Sequence, residues 1–538
     1  MTCVSITYLT PSAQGDEHLG TASIAAYLEK HGVKVILDII SFDQDNPNVG
    51  AVFERLPDNA DLYGFPLFHS NASLIYAISG KIKEKYQGSK VFVGGRLATD
   101  AYNFVLNDCP SVDFVVLGDG EYPLLEAVRA IEAGTSLDEI DSIVVQGKEE
   151  SGNKVPSIVD LSDLPWMSRG YLERMIEKGY GTARISTSRG CCANCSFCSH
   201  NSYSKAAGGK RWRGRDMKDV FDEIISIYNK YGIRSFTFND GSFEDPGKLG
   251  KQRIRELCNY IIAYPVKFHL WCFLRADTFD EKDTELIQLM KKAGFSEVFI
   301  GIESGSDADL KVYNKKATLE DNVRSIKLFQ DNGINVLFGF IIFNPMSTRK
   351  SLKDDFEFLK HYKDWRPTAY INRVAIYYNT LMHKECEKAG LLKQEFSYLN
   401  PMGYNFLDPD VAKIWEFIED KLQKSMIFTK GDLDLFYFSN FYYNMLALFP
   451  TETEKFAYRF ENLMNEFASV LSWYFEHIYV DFDLDAAEAK QKEFEKRMNV
   501  LFRRMNSLKI NIIMQEPFKS YIREALSSNK KRSSINFI

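Results

Sequence analysis

The chain has 538 residues, of which 45% are hydrophobic and 14% aromatic, enough to fill more than one core; two or three domains are expected. Its net charge of −7 gives no global reason to expect nucleic acid. No run of about 18 apolar residues predicts a membrane span, and nine cysteines, an odd number, argue against a disulfide framework.

The opening "MTCVSITYLTP" lacks a basic leader and reads as a first strand rather than a signal peptide, so the expected location is the cytoplasm. Residues 3–10 alternate and are rich in β-branched side chains. "GTASIAAYLEKHG" follows as a helix stopped by Gly32. Strands are expected at 33–40, 60–68, 90–95 and 112–121, with helices at "ASLIYAISGKIKEKY" and "YPLLEAVRAIEAG". Strands alternating with helices predict a doubly wound parallel sheet. Ligands of such sheets sit beyond the carboxyl ends of the strands, here at loops 11–19, 68–71, 94–98 and 118–121. Their glycines either make tight turns or let backbone approach a ligand.

Residues 136–180 read as a linker. A second alternating series then begins, with strands at 183–189, 234–240, 267–277, 296–305, 334–345 and 368–378. Six β/α units predict a full or partial barrel with its site at the strand carboxyl ends. From 385 to 538 the chain reads as helical and aromatic-rich. "DLFYFSNFYYNMLALF" and "SWYFEHIYVDF" are read as core; the alternative is an apolar wall capping the barrel over the substrate. "GGKRWRGRD" at 208–216 reads as a solvated loop, with contact to a phosphate or acidic peptide as the alternative, and the tail "SSNKKRSSINF" as frayed.

The loop after the first strand of the second series is "SRGCCANCSFCSH", with four cysteines in it. Cys191, Cys195 and Cys198 have the spacing C-x3-C-x2-C. Three thiolates on one loop can hold three irons of a 4Fe–4S cluster and leave the fourth iron open, whereas closed clusters take four. Cys192 is read as a bystander, because neighbouring side chains rarely converge on one cubane. A zinc site completed by His200 is the alternative.

These residues resemble the radical S-adenosylmethionine (SAM) superfamily, and the likeness runs over about 180 to 380. It implies that SAM chelates the open iron and is cleaved by an electron from the cluster to give a 5′-deoxyadenosyl radical, the electron coming from a flavodoxin or ferredoxin. It also implies SAM contacts at Phe197, at Asp240 and Ser242 of "FNDGSF", at Arg275 of "LRADTF", at Glu303 and Ser304 of "GIESGSDADL", and at Asn344 of "FGFIIFNPMST".

The N-terminal sheet (1–135) resembles the cobalamin-binding, flavodoxin-like domain that precedes many radical SAM barrels (181–384 here). That implies cobalamin contacts at Leu19, Gly20, Phe68, His69, Ser70, Gly94, Gly95, Arg96, Leu97, Gly118, Gly120 and Glu121. The familiar D-x-H-x-x-G signature is matched in part: Gly20 comes one residue early after Asp16 and His18, and Phe65-Pro66-Leu67 replaces S-x-L. His18 is therefore read as a polar helix start, not a lower ligand to cobalt. The two cofactors together imply transfer of a methyl group to an unactivated carbon of a small molecule or peptide. A radical cyclisation, rearrangement or oxidation is the alternative within the enzyme class, and a non-catalytic metal-binding protein the alternative outside it.

Overall fold

A computed structural model describes residues 2–11, 17–44, 46–148, 154–177, 181–201 and 211–527. Asp16, residues 208–210 of the basic loop and the tail from 528 lie outside the described residues.

The first sheet is built from Cys3–Thr10 (β1), Lys34–Ser41 (β2), Leu62–Pro66 (β3), Lys90–Gly94 (β4), Phe114–Val116 (β5) and Ile143–Val145 (β6). Its order is β2-β1-β3-β4-β5-β6; the first five strands are parallel and β6 is antiparallel. Helices cover both faces, and all five residues of β3 are buried. The chain winds outward from β1 in both directions, which opens a crevice at the carboxyl ends of β1 and β3. Three elements escape the sequence reading, the short helix Val49–Phe53 among them. Helix Arg96–Asp108 starts straight after β4. Strand β6 falls in the expected linker, and its three residues are too few to show a period.

The second series starts with Thr182–Ile185 (β7). Ser188–Gly190 (β8), expected to continue that strand, instead pairs antiparallel with Trp212–Gly214 (β9). Ser235–Phe238 (β10), His269–Arg275 (β11), Glu297–Glu303 (β12) and Asn335–Phe340 (β13) complete a parallel sheet of order β13-β12-β11-β10-β7. The expected sixth strand at 368–378 does not form: Pro367–Tyr370 is a single tight turn, followed by two isolated bridges, Phe343 to Arg373 and Ile376 to Met402. Pro367 brings no N–H, and the Asn372 side chain takes the Phe340 carbonyl at 2.7 Å, an acceptor at the end of β13. The partial barrel thus carries five strands.

The basic loop is only partly solvated where it is described: Arg211, Gly214 and Asp216 are exposed, while its other side chains are engaged. Arg213 pairs with Asp119 at 2.7 Å, Arg215 with Glu223 at 2.7 Å, and the Arg253 guanidinium covers the Trp212 ring at 4.8 Å.

The C-terminal helices Asp432–Leu448, Ala457–Tyr479 and Leu484–Ile513 bury the aromatic stripes in one core. Tyr442 stacks on Phe460 at 3.8 Å and Tyr474 on Phe494 at 4.3 Å. One helix of the bundle meets the barrel at the end opposite the cysteine loop: Ser296, just before β12, donates to the Tyr443 carbonyl at 2.8 Å. The C-terminal region also packs on residues that follow β13: Tyr479 stands 6.1 Å from Phe343, and the Arg349 guanidinium covers the Phe482 ring at 4.0 Å. Among the described residues no helix is long and apolar enough to cross a membrane. One segment after the barrel turns back to the first domain. Tyr398 is buried in the core of the first domain near Cys109, and its carbonyl is 2.9 Å from Nδ1 of His69.

Glu297 opens β12, fully buried, and accepts from Asn335 at 2.7 Å and from Ser439 at 3.4 Å. Burial pushes its carboxyl from 4.5 up to about 7. The folded chain therefore holds this proton more tightly than the unfolded chain, and stability falls as pH rises from about 4.5 through 7, by roughly 3 kcal/mol in all. Glu297→Gln is expected to leave stability near pH 5 little changed and to raise the unfolding temperature above wild type near pH 8. Thermal unfolding at both pH values checks this; a variant that loses stability equally at both would refute it.

Candidate functional site

The cysteine loop is fixed at its entry by Asp240, at the end of β10. One oxygen of Asp240 accepts from the Thr187 N–H at 2.9 Å, the Ser188 hydroxyl at 2.7 Å and the Ser188 N–H. Burial pushes this carboxyl up to about 6, while the Ser188 bonds oppose the shift. Further along, Ser196 donates its N–H to the Tyr313 carbonyl at 2.8 Å and its hydroxyl to the Val312 carbonyl at 2.7 Å. Asn314 donates to the Asn194 carbonyl at 2.7 Å. The loop therefore rests on the segment that follows β12.

Cys191, Cys195 and Cys198 line one cavity of about 180 Å³. Cys192 does not line it; its N–H donates to Asp245 at 2.7 Å. Burial pushes the Cys191 thiol up to about 12, and raises Cys195 as well. Deprotonated ligands here need a cationic centre beside them. Among the described residues no three His, Cys, Asp or Glu side chains close on a single metal ion. Three thiols spread around one cavity, with no fourth, suit a cluster with an open iron.

Of the expected SAM contacts, Phe197, Arg275 and Glu303 line this cavity. Phe197 stands edge-on to Tyr313 at 5.4 Å. The Arg275 guanidinium is held by both oxygens of Asp277 at 2.9 Å and by Asp245 at 3.0 Å. Glu303 sits where the β12–β13 register shifts, at φ 68°, and pairs with Lys315 at 3.1 Å. That left-handed backbone is costly for a side chain larger than glycine and turns the carboxylate toward the cavity. The other four expected contacts stand behind the wall. Asp240 serves the loop entry, Ser242 donates to Glu244 at 2.8 Å, Ser304 donates to Asp355 at 2.6 Å, and Asn344 donates to the Tyr313 hydroxyl at 3.2 Å. Asp277, Lys315 and His200 line the cavity and were not anticipated as contacts to SAM. Asp277 had a signal, two residues after Arg275; Lys315 had none.

A second cavity of about 320 Å³ opens at the carboxyl ends of the first sheet. Gly20, Phe68, Gly94, Gly95, Arg96, Gly118, Gly120 and Glu121 line it, as expected for that set; Leu19, His69, Ser70 and Leu97 do not. His69 is held instead by the Tyr398 carbonyl. A Cβ on Gly94 would meet nothing nearer than 3.6 Å and one on Gly95 nothing nearer than 3.9 Å, so this turn leaves its flank open to a ligand. Gly118 has φ 78°, and a Cβ there would come within 2.4 Å of the Ser157 carbonyl oxygen. His18 also lines the cavity. Its Nδ1 caps the first helix by accepting from the Thr21 N–H at 3.2 Å, and burial lowers its pKa to about 4, so the ring is neutral near pH 7. Thr99, Asp119 and Arg189 also line it; Asp119 lies in the expected ligand loop 118–121 and Arg189 in the cysteine motif, but neither was expected as a contact.

The radical SAM superfamily model matches residues 185–359, and the B12 binding domain model matches residues 8–128. The chain joins a B12 binding domain to a radical SAM domain. Its cofactors are accordingly a 4Fe–4S cluster, SAM and cobalamin, and the donor sets of the two cavities fit them. An uncharacterized methyltransferase of Pyrococcus horikoshii is 28% identical over 64% of this chain and 72% of its own length. The anaerobic magnesium-protoporphyrin IX monomethyl ester cyclase of Cereibacter sphaeroides is 29% identical over 51% of this chain, but only 44% of its own length is matched. Among solved structures, the cobalamin-dependent SAM radical enzyme OxsB, with aqua-cobalamin and SAM bound, superposes with TM-score 0.71 and 18% identity, covering 98% of this chain and 82% of that one. The radical SAM methyltransferase TsrM of Kitasatospora setae gives 0.57 and 17%, covering 73% of this chain and 79% of that one. At those identities the structures establish the shared fold alone.

Proposed function

We propose that this cobalamin-dependent radical SAM enzyme methylates an unactivated carbon of a small-molecule or peptide substrate, drawing electrons from a flavodoxin or ferredoxin. The observation that carries it is the pair of cavities back to back, one lined by three cysteines and one by the glycine turns of the B12 binding domain. Bound in them, the cluster with SAM supplies a carbon radical and cobalamin supplies a methyl group. Cys191, Cys195 and Cys198 hold the cluster. Arg275 and Lys315 present the positive charges that a carboxylate of SAM would meet, and Glu303 presents an acceptor for an amine or a hydroxyl. Phe197 offers a ring face or edge to an adenine. The names of relatives such as the Pyrococcus protein support the methyl-transfer reading.

A second reading, a radical reaction without methyl transfer, is favoured by two relatives: the cyclase named above, and a 4'-phospho-dehydrooxetanocin synthase of Priestia megaterium that is 25% identical over 64% of this chain. Anaerobic reconstitution with iron, sulfide and cobalamin, followed by SAM and a strong reductant, separates the two. S-adenosylhomocysteine forming together with 5′-deoxyadenosine is the expected result. Deoxyadenosine alone, from protein that carries cobalt, would overturn methyl transfer in favour of the second reading.

A further inference from the structure

The cysteine loop is held at both ends by the B12 binding domain. At the entry, Arg189 stands two residues before Cys191. Its guanidinium donates to Glu121 at 2.6 Å and to Ser23 at 2.9 Å, and lies 3.2 Å from Asp119. Ser23 in turn donates to Glu121 at 2.6 Å. Arg189 faces Arg213 across the β8–β9 pair, and Arg213 reaches the other oxygen of Asp119 at 2.7 Å. One carboxylate thus clips both strands of the pair. At the exit, Arg96 donates to the carbonyl of Ser199, the residue after Cys198, and places its second terminal nitrogen 3.3 Å from Nδ1 of His200.

These brackets are also cavity walls. Arg96, Asp119, Glu121 and Arg189 line the B12 cavity, while His200 and the three cysteines line the other. The same guanidinium groups therefore touch the space for one cofactor and the loop that holds the other. There is little slack between them. Gly190 has φ 94°, and a Cβ on it would fall 1.8 Å from the Arg211 carbonyl oxygen. The carboxylates are almost fully buried, and charge-assisted bonds of this kind hold their partners in narrow geometry.

We propose that Arg96 and Arg189 are positioning residues that couple the two cavities, so that cobalamin bound in one presets the cysteine loop and tightens SAM binding in the other. This rests on the assignment of cobalamin and of the cluster with SAM to these cavities. A ligand that fills the B12 cavity fixes Arg96, Glu121 and Arg189 in place. The cost of ordering the loop brackets is then already met when SAM arrives. Linkage requires the reverse as well: SAM tightens cobalamin by the same factor.

The test uses the full chain with its cluster reconstituted. SAM affinity is read from the change it causes in the electron paramagnetic resonance of the reduced cluster, with and without saturating hydroxocobalamin. Cobalamin is expected to tighten SAM binding by about fivefold or more. Arg96→Met is expected to bring that factor toward one at unchanged iron content, and Arg96→Lys to restore part of it. Ser23→Ala, at a residue lining neither cavity, is expected to lower the factor too, and decides the matter if Arg96→Met loads poorly. Wild-type protein that carries iron and cobalt yet binds SAM equally well with and without cobalamin overturns the coupling, as do variants that keep the full factor. Protein that retains no cobalt or no iron overturns instead the cofactor assignment on which the coupling rests.

Discussion

Cys195→Ala is expected to remove the cluster, and Cys192→Ala to leave it in place. Cys195 faces the shared cavity directly ahead of Ser196, whose N–H and hydroxyl are both anchored on the segment after β12. Cys192 is not placed to substitute, since it lies outside the cavity with its N–H bonded to Asp245, and His200, which lines the cavity, is held by Arg96. With two ligands left, a cubane of about four irons has too few thiolates to persist. Iron and sulfide content is expected to fall from about four per chain to a small fraction of that, and reductive cleavage of SAM to cease. Equal iron loss in Cys192→Ala and Cys195→Ala would sink the assignment. So would full iron in a protein lacking Cys191, Cys195 and Cys198 together.

Gly190→Ala removes no ligand, yet it is expected to cost the cluster almost as fully. The residue has φ 94°, a region that L side chains disfavour by about 1–2 kcal/mol. The added methyl would also run into the backbone oxygen of Arg211, which cannot swing aside as a side chain can. Overpacking of this sort adds roughly 1–3 kcal/mol. The chain relieves it by opening the β8–β9 pair, which carries Arg189 and leads directly into Cys191. Iron content after reconstitution and the unfolding temperature together check this. Wild-type values for both would show that the pair is not what holds the loop.

The features most legible in the sequence were those whose signal is local. Alternating strands and helices could be read because helices cover both faces of the first sheet and leave β3 to β5 rich in buried apolar residues. The cysteines could be read because all three lie on one loop, and the glycine turns because each ends a strand. What stayed hidden depends on register or on distant pairing. Ser304 differs from its neighbour Glu303 by one position, yet the register shift between Gly301 and Glu303 sends one to the cavity and the other to Asp355. Asp240 stands at a strand end like a ligand contact, but its oxygen is taken by Thr187 and Ser188. The sixth strand had the right alternation and lost its ladder to Pro367 and the Asn372 side chain. Arg189 and Glu121 are 68 positions apart, a spacing no periodic pattern reports.

The seat of Tyr398 in the first domain bears on how the chain is made. That domain is encoded first, but one of its core side chains arrives only after the whole barrel has been threaded past it. Emerging from the ribosome, the N-terminal domain waits with an apolar notch near Cys109 until residue 398 is released. Its folding is thus completed late and in concert with the barrel, and a fragment ending at the sheet would carry that notch open to water and to its neighbours.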